Sequence, residues 1–106
     1  MDARSALAQY RQAREATLGM LAAAKEGNWE GLVNLEIARR EVLDPLTAQA
    51  IDFGAGQRQE KDACIREILE MDAQIRTLTE AWMGEMRQML STVQSQRKIE
   101  QAYGTR

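Results

Sequence analysis

The sequence has no histidine, and it has a single cysteine, Cys64. Histidine is the commonest metal ligand and the commonest general base, so its absence removes both roles. One cysteine allows no internal disulfide, and without histidine it does not make a tetrahedral zinc site. Cys64 lies on an apolar helical stripe, which favours the interpretation of its side chain as a small, buried apolar group. We therefore expect a protein that is not an enzyme and that carries no metal or cofactor.

Long hydrophobic runs are also missing, because no stretch reaches the 18 apolar residues that a membrane-spanning helix needs. The first twelve residues, MDARSALAQYRQ, lack the apolar region of a signal peptide. These two features predict a cytoplasmic protein without membrane insertion. The formal net charge of −2 gives no sign of a surface that binds nucleic acid directly.

The charges are unevenly distributed along the chain. Residues 1–94 carry 11 basic and 15 acidic side chains, a balance of −4, whereas residues 95–106 carry three basic and one acidic, a balance of +2. A basic end beside an acidic body permits electrostatic docking, although ordinary solvated charge explains the same pattern.

Good helix formers dominate the composition, and no stretch alternates with the period of a strand. The patterns predict three helices, at about 5–26, 29–50 and 57–91, separated by a turn at Gly27–Asn28 and a loop at 52–57. Pro45 predicts a kink or an early end in the second helix. The fold class is therefore an all-α antiparallel bundle of three main helices, with a short, weakly docked fourth helix at the C-terminus.

The third helix is longer than its neighbours, at about 50 Å against about 33 Å. If it continues past Gly84, residues after Trp82 extend beyond the three-helix body and leave apolar side chains in water. If Gly84 instead breaks the helix, residues 85–103 fold back as a full fourth bundle helix. Methionine suits a surface that must accept a partner. The partner-binding candidates in this segment are Met83, Met86, Met89 and Leu90.

A second candidate surface lies between the second and third helices. Val33, Ile37 and Leu69 are predicted to line a groove there, with Arg40 and Arg76 at its sides to receive acidic groups. An amphipathic helix of a partner would lay its apolar face along these positions. Solvated surface is the competing interpretation of both arginines.

Three motifs together resemble the FliT family of flagellar type III export chaperones. They are GNWEGLVNLEIARREVL at 27–43, ILEMDAQIRTL at 68–78 and QRKIEQAYG at 96–104. Their order and spacing cover essentially the whole chain. The resemblance implies a cytoplasmic all-α chaperone that binds the C-terminal region of the filament-cap protein and prevents its premature assembly before export. It further implies contacts with components of the export ATPase complex and, in some bacteria, with the flagellar transcription activator.

The resemblance also implies that the last helix is regulatory and masks a binding surface. We accordingly expect one helical chaperone domain over residues 1–106, with 94–106 as a regulatory tail. The tail residues expected to act are Arg97, Lys98, Ile99, Ala102 and Tyr103. The alternative is a homodimeric helical adaptor in which residues 83–93 stay buried in a dimer interface; the chaperone would be a monomer or a weak homodimer.

Overall fold

A computed structural model describes residues 1–103, with Tyr103 described by its backbone alone. The described chain forms three helices, α1 (Ala3–Glu26), α2 (Trp29–Thr47) and α3 (Ala55–Tyr103), and contains no strand within that range. The all-α prediction is therefore confirmed. Two compact units divide the chain, one covering Met1–Arg76 and the other beginning at Thr77.

The turn between α1 and α2 follows from two adjacent residues. Gly27 takes a left-handed conformation with φ 73°, which glycine adopts without the steric penalty of a β-carbon. Asn28 then caps α2, because its side-chain oxygen accepts a hydrogen bond from the Gly31 amide at 3.0 Å. The two helices run back along each other, and a β-carbon added at Gly19 would lie 3.1 Å from Leu35 Cδ1. This close approach confirms the predicted antiparallel pairing of α1 and α2.

The loop between α2 and α3 is fastened to α1 by aromatic packing. α2 ends at Thr47, two residues after Pro45, which confirms the predicted early end. Phe53 in the loop lies with its ring centroid 6.4 Å from that of Tyr10 on α1. Lys61 on α3 also lies over the Phe53 ring, with Nζ 5.0 Å from the ring centroid. The first turn of α3 is therefore held beside the first half of α1.

The core of the first unit is contributed mainly by α1 and the first half of α3. A stripe of mostly small and medium side chains on α1 is buried, and so are Cys64, Ile68 and Ile75 on α3. The buried apolar residues are Ala6, Leu7, Ala13, Met20, Leu21, Ala23, Ala24, Leu46, Cys64, Ile68 and Ile75. α2 contributes only Leu46 to this set, so most of its apolar side chains lie half-buried or exposed.

A polar contact joins all three helices inside the first unit. Arg39 on α2 donates from Nη1 to Asp72 Oδ1 on α3 at 2.7 Å and to Thr17 Oγ1 on α1 at 3.1 Å. Thr17 is fully buried and donates in turn to the Ala13 carbonyl oxygen at 2.8 Å. Since an arginine left without its acceptors in this position is costly, the contact fixes the register of the helices.

The C-terminal part of α3 differs from the prediction. The helix continues without interruption through Gly84 to Tyr103, so neither a break at Gly84 nor a separate fourth helix is present in residues 1–103. Strong helix formers surround Gly84, and one glycine costs a helix only about 1 kcal/mol. The prediction that α3 would end near Ser91 is wrong for the same reason.

Candidate partner-binding surface

The exposed apolar residues of α3 form the largest uncovered set in the chain. Within the described residues after Thr77, no side chain is buried. Between positions 83 and 93, five large apolar side chains are between 37% and 62% exposed. We call them the apolar strip: Met83, Met86, Met89, Leu90 and Val93.

Helical spacing places the strip on one side of α3. At 100° per residue, all five members fall within about 60° on either side of Met86. Glu85 and Arg87, the neighbours of Met86, therefore lie about 100° to either side and form the two edges. Arg87 Nε donates to the Met83 carbonyl oxygen at 3.4 Å, so the arginine lies along the Met83 edge of the strip.

The Glu85 edge of the strip is concave. A depression of about 590 Å³ is lined there by Glu85, Gln88, Met89, Thr92 and Val93. Four of these residues occupy positions i, i+3, i+4 and i+7 on the helix. Four residues of one helix form the hole that receives a side chain of a facing helix in coiled coils. This edge therefore has the residue spacing of such a hole.

The candidates predicted on α2 lie in the first unit, on a separate surface. Val33 is 54% exposed and Ile37 is 47% exposed, one turn apart and so on the same face of α2. Arg40 is exposed and forms an ion pair with Glu36, one helical turn before it. These residues form a small apolar patch with an ion pair beside it.

The remaining candidates on α3 are also exposed. Leu69 is 62% exposed, and Arg76, two turns further along the helix, is exposed as well. The structure thus places Val33 and Ile37 together and the strip residues together. The two groups belong to different compact units.

A groove between α1 and α3 was not predicted. It has a volume of about 290 Å³, with Leu18 and Met71 as its apolar residues. Its other lining residues are Arg14, Glu15, Glu67, Glu70 and Gln74. The sequence signal was Leu18, an apolar residue beside the main α1 stripe that is 52% exposed in the structure.

A family model described as flagellar protein FliT matches residues 7–105. The chain belongs to the FliT family. The match confirms the resemblance seen in the three sequence motifs and implies a general role as a flagellar export chaperone. No curated protein and no solved structure matches the chain.

The expected regulatory tail of this FliT-family chain is part of α3. Arg97, Lys98, Ile99 and Ala102 are all exposed, and Ile99 retains 58% of its accessible surface. Tyr103 lies in the helix, but its side chain and residues 104–106 are outside the described residues. Residues 94–103 are therefore a helical continuation of α3, and the predicted separate, docked helix is not present among the described residues.

The single thiol and the acidic side chains of this FliT-family member show no arrangement typical of a reactive site within the described residues. Cys64 is fully buried, and Arg14 Nη1 donates to its sulfur at 3.6 Å. Among residues 1–103, no group of three or more acidic, cysteine or histidine side chains is arranged to hold a metal ion. The same range contains no helix long and apolar enough to cross a membrane. What the described surface offers is uncovered apolar area for another protein.

Proposed function

We propose that this protein is a cytoplasmic export chaperone, without enzymatic activity, that binds the C-terminal helices of the filament-cap protein. It holds that region away from other copies, prevents premature assembly and delivers the cap protein to the export apparatus. The observation that carries the proposal is the apolar strip, in which side chains are up to 62% exposed on the part of α3 that has no buried side chain within the described residues.

The mechanism is the packing of a cargo helix along α3. A cargo helix with apolar residues at three- and four-residue spacing fits the strip in the same way that helices fill hydrophobic grooves. Met83, Met86 and Met89 adapt to cargo side chains of different shape, because methionine is unbranched and polarisable. Burying these apolar groups also removes the cargo surface that drives its own polymerisation.

The α2 patch extends the proposed binding surface. Val33 and Ile37 receive a second apolar segment, with Leu69 as a further apolar contact. Arg40 and Arg76 receive acidic groups of the cargo, and Arg40 exchanges its present partner Glu36 for them. Components of the export ATPase complex and the flagellar transcription activator are proposed as further partners, which use the surface that cargo leaves open.

The segment 94–106 is the regulatory part of the proposal. Its net charge of +2 and its exposed Ile99 allow this segment to compete weakly with cargo for a surface that is both acidic and apolar. Deletion of residues 95–106 is expected to raise the affinity for the cap-protein C-terminal region and to increase aggregation. Unchanged affinity after the deletion, measured by isothermal titration calorimetry, would remove the regulatory role and leave the chaperone function in place.

The decisive experiment replaces two strip residues. Met86→Asp combined with Met89→Asp is expected to abolish binding of the purified cap-protein C-terminal region in calorimetry. Leu18→Asp is the matched control, since it also places a carboxylate at a position about half exposed. Circular dichroism checks that all variants stay helical. Full binding by the double variant would exclude the strip, and Val33→Asp with Ile37→Asp then tests the α2 patch.

The second candidate is a homodimeric adaptor whose residues 83–93 are permanently buried between two copies. It is favoured by the hole on the Glu85 edge, which fits a side chain of any facing helix. A dimer that withstands dilution and rejects the cap protein would support the adaptor over the chaperone.

A further inference from the structure

The groove between α1 and α3 combines an apolar floor with acidic rims. On α3, at 100° per residue, Met71 lies about 40° from the buried Ile75 and forms the floor, whereas Glu70 lies about 140° from Ile75 and forms the rim. On α1, Leu18 forms the wall and Glu15, further from the core, forms the opposite rim. Both rim carboxylates and Leu18 are exposed, so the groove can be reached from solvent.

The charges that line this groove do not cancel. Three carboxylates, those of Glu15, Glu67 and Glu70, stand against the single guanidinium of Arg14, a balance of −2. Arg14 Nη1 lies 3.5 Å from Glu67 Oε2, and this ion pair joins α1 to α3. Glu15 and Glu70 form no ion pair within residues 1–103, although Arg66 lies one turn before Glu70. The two rims therefore keep unpaired carboxylates beside exposed apolar surface.

We infer that this groove is a second protein-binding site, and that its ligand is a basic amphipathic helix of another protein. An apolar side chain of that helix covers Leu18 and Met71, in the manner of helices that bind in hydrophobic grooves. A lysine or arginine beside it pairs with Glu15 or Glu70, so the charge of the ligand complements that of the rims.

The sign of the charge separates this ligand from the proposed cargo. Arg40 and Arg76 are proposed to receive acidic groups of the cargo, whereas the rims of the groove repel acidic groups. The groove also shares no residue with the apolar strip. The inference therefore goes beyond the proposed function and does not depend on it.

The size of the groove sets the strength of the contact. Its volume of about 290 Å³ lies at the lower limit for small-molecule pockets, so it suits side chains of a helix that lies across it. A contact this small belongs to the weak, transient class, and we expect a dissociation constant of about 100 µM at low salt. Because the rim charges are exposed, salt is expected to weaken the binding.

Two synthetic peptides test the inference on the full chain. Both are alanine-based helices with leucines along one face, and the positions beside the leucines carry arginine in one peptide and glutamate in the other. The arginine peptide is expected to shift the amide NMR signals of residues 14–18 and 67–74, and the glutamate peptide to bind at least about tenfold more weakly. Equal affinities, shifts confined to residues 83–93, or no binding of the arginine peptide up to about 1 mM would overturn the inference.

Charge reversal at the rims gives a second, independent readout. Glu15→Lys combined with Glu70→Lys is expected to weaken binding of the arginine peptide by about tenfold and to strengthen binding of the glutamate peptide. Glu26→Lys combined with Glu41→Lys is the matched control, because it changes the net charge equally at exposed positions that do not line the groove. Circular dichroism checks that both double variants stay helical. Equal weakening by the two double variants would reduce the binding to general charge attraction and overturn the inference.

Other occupants of the groove give different results in the same NMR experiment. Signals of residues 14–18 and 67–74 that move with protein concentration, without peptide, would assign the groove to a second copy and contradict the inference. Movement of these signals on addition of the cap-protein C-terminal region would assign it to cargo, with the same consequence. Met86→Asp with Met89→Asp is expected to keep the arginine peptide, so loss of cap-protein binding in that variant leaves the groove site standing.

Discussion

The two parts of α3 show what packing adds to helix propensity. Up to Ile75 the helix contributes buried side chains and takes part in ion pairs with α1 and α2. From Thr77 to Ala102 none of its side chains is buried. Both parts are helical, so the sequence from Thr77 onward is helical with little tertiary support, and its apolar side chains are available to a partner.

The two parts are expected to respond differently to the same side-chain truncation. Met20→Ala in the core, where the side chain is 3% exposed, is expected to cost about 2–5 kcal/mol of unfolding free energy. Met89→Ala in the apolar strip, where the side chain is 62% exposed, is expected to change the free energy of unfolding by no more than about 0.5 kcal/mol. Urea denaturation at low protein concentration measures both. Equal losses would mean that the strip is packed inside the protein and would remove it as a binding surface.

Ion pairs sharpen the comparison between the supported core and exposed surface. Asp72→Ala leaves the half-buried Arg39 with Thr17 as its remaining partner and is expected to cost about 1–3 kcal/mol. Glu36→Ala removes the exposed ion pair with Arg40, one helical turn away. It is expected to lower the free energy of unfolding by less than about 0.5 kcal/mol. If the two losses in urea denaturation were alike, the contact of Arg39 would not be what sets the helix register.

Two glycines are expected to give effects of opposite sign. Gly27→Ala forces a β-carbon into the left-handed region and is expected to destabilise the protein by about 1 kcal/mol. Gly84→Ala adds a methyl group that meets nothing within 4 Å apart from its chain neighbours and its own helix backbone, and it is expected to stabilise the helix there by about 1 kcal/mol. Amide exchange of residues 77–100 reports the second effect. Slower exchange is expected, and faster exchange would show that residues around Gly84 leave the helix.

The smallest effect is expected at the start of α1, and it depends on pH. The backbone amide of Ser5 donates to Asp2 Oδ1 at 2.8 Å, and this hydrogen bond lowers the pKa of the Asp2 carboxyl below its ordinary value of 3.8. The stabilisation is therefore present above pH 3.8 and is lost as the pH falls through the lower folded-state pKa. The Ser5 amide chemical shift follows the loss. Asp2→Asn keeps the cap without a titrating group and should show no such transition.

Local signals made the first half of the fold predictable. Gly27 favours the position after the end of a helix, and Asn28 favours the position before the start of one. These two adjacent residues therefore predicted the end of α1 and the start of α2 to the residue. The early end of α2 followed from Pro45 in the same way. In each case the deciding preference belongs to one residue and its backbone, and distant contacts were not needed.

The errors concern features that depend on tertiary contacts or on their absence. The contact between Arg39 and Asp72 was not predicted, because these two residues are 33 positions apart in the sequence. α3 was predicted to end near Ser91 or to break at Gly84, with a short, weakly docked fourth helix at the C-terminus. Instead α3 continues to Tyr103, because the residues in this segment are mostly strong helix formers.

The apolar residues of the candidate site were predictable from the sequence, but the edges of the strip and the second groove were not. The methionines at 83, 86 and 89 were identified by their spacing, and their exposure in the structure agrees with that interpretation. The opposite edges of the strip were missed, because they become apparent only when Glu85 and Arg87 are placed around the helix axis. The groove between α1 and α3 was missed because its lining comes from two helices more than 40 residues apart in the sequence.

The long α3 also determines how the protein responds to a protease. Trypsin cleaves after arginine and lysine, and Arg87, Arg97 and Lys98 are exposed on a helical segment without buried side chains. Cleavage at any of them removes none of the side chains that form the core. Mild digestion should therefore yield a stable product ending at Arg87, and protection of that bond would mark the moment at which a partner binds.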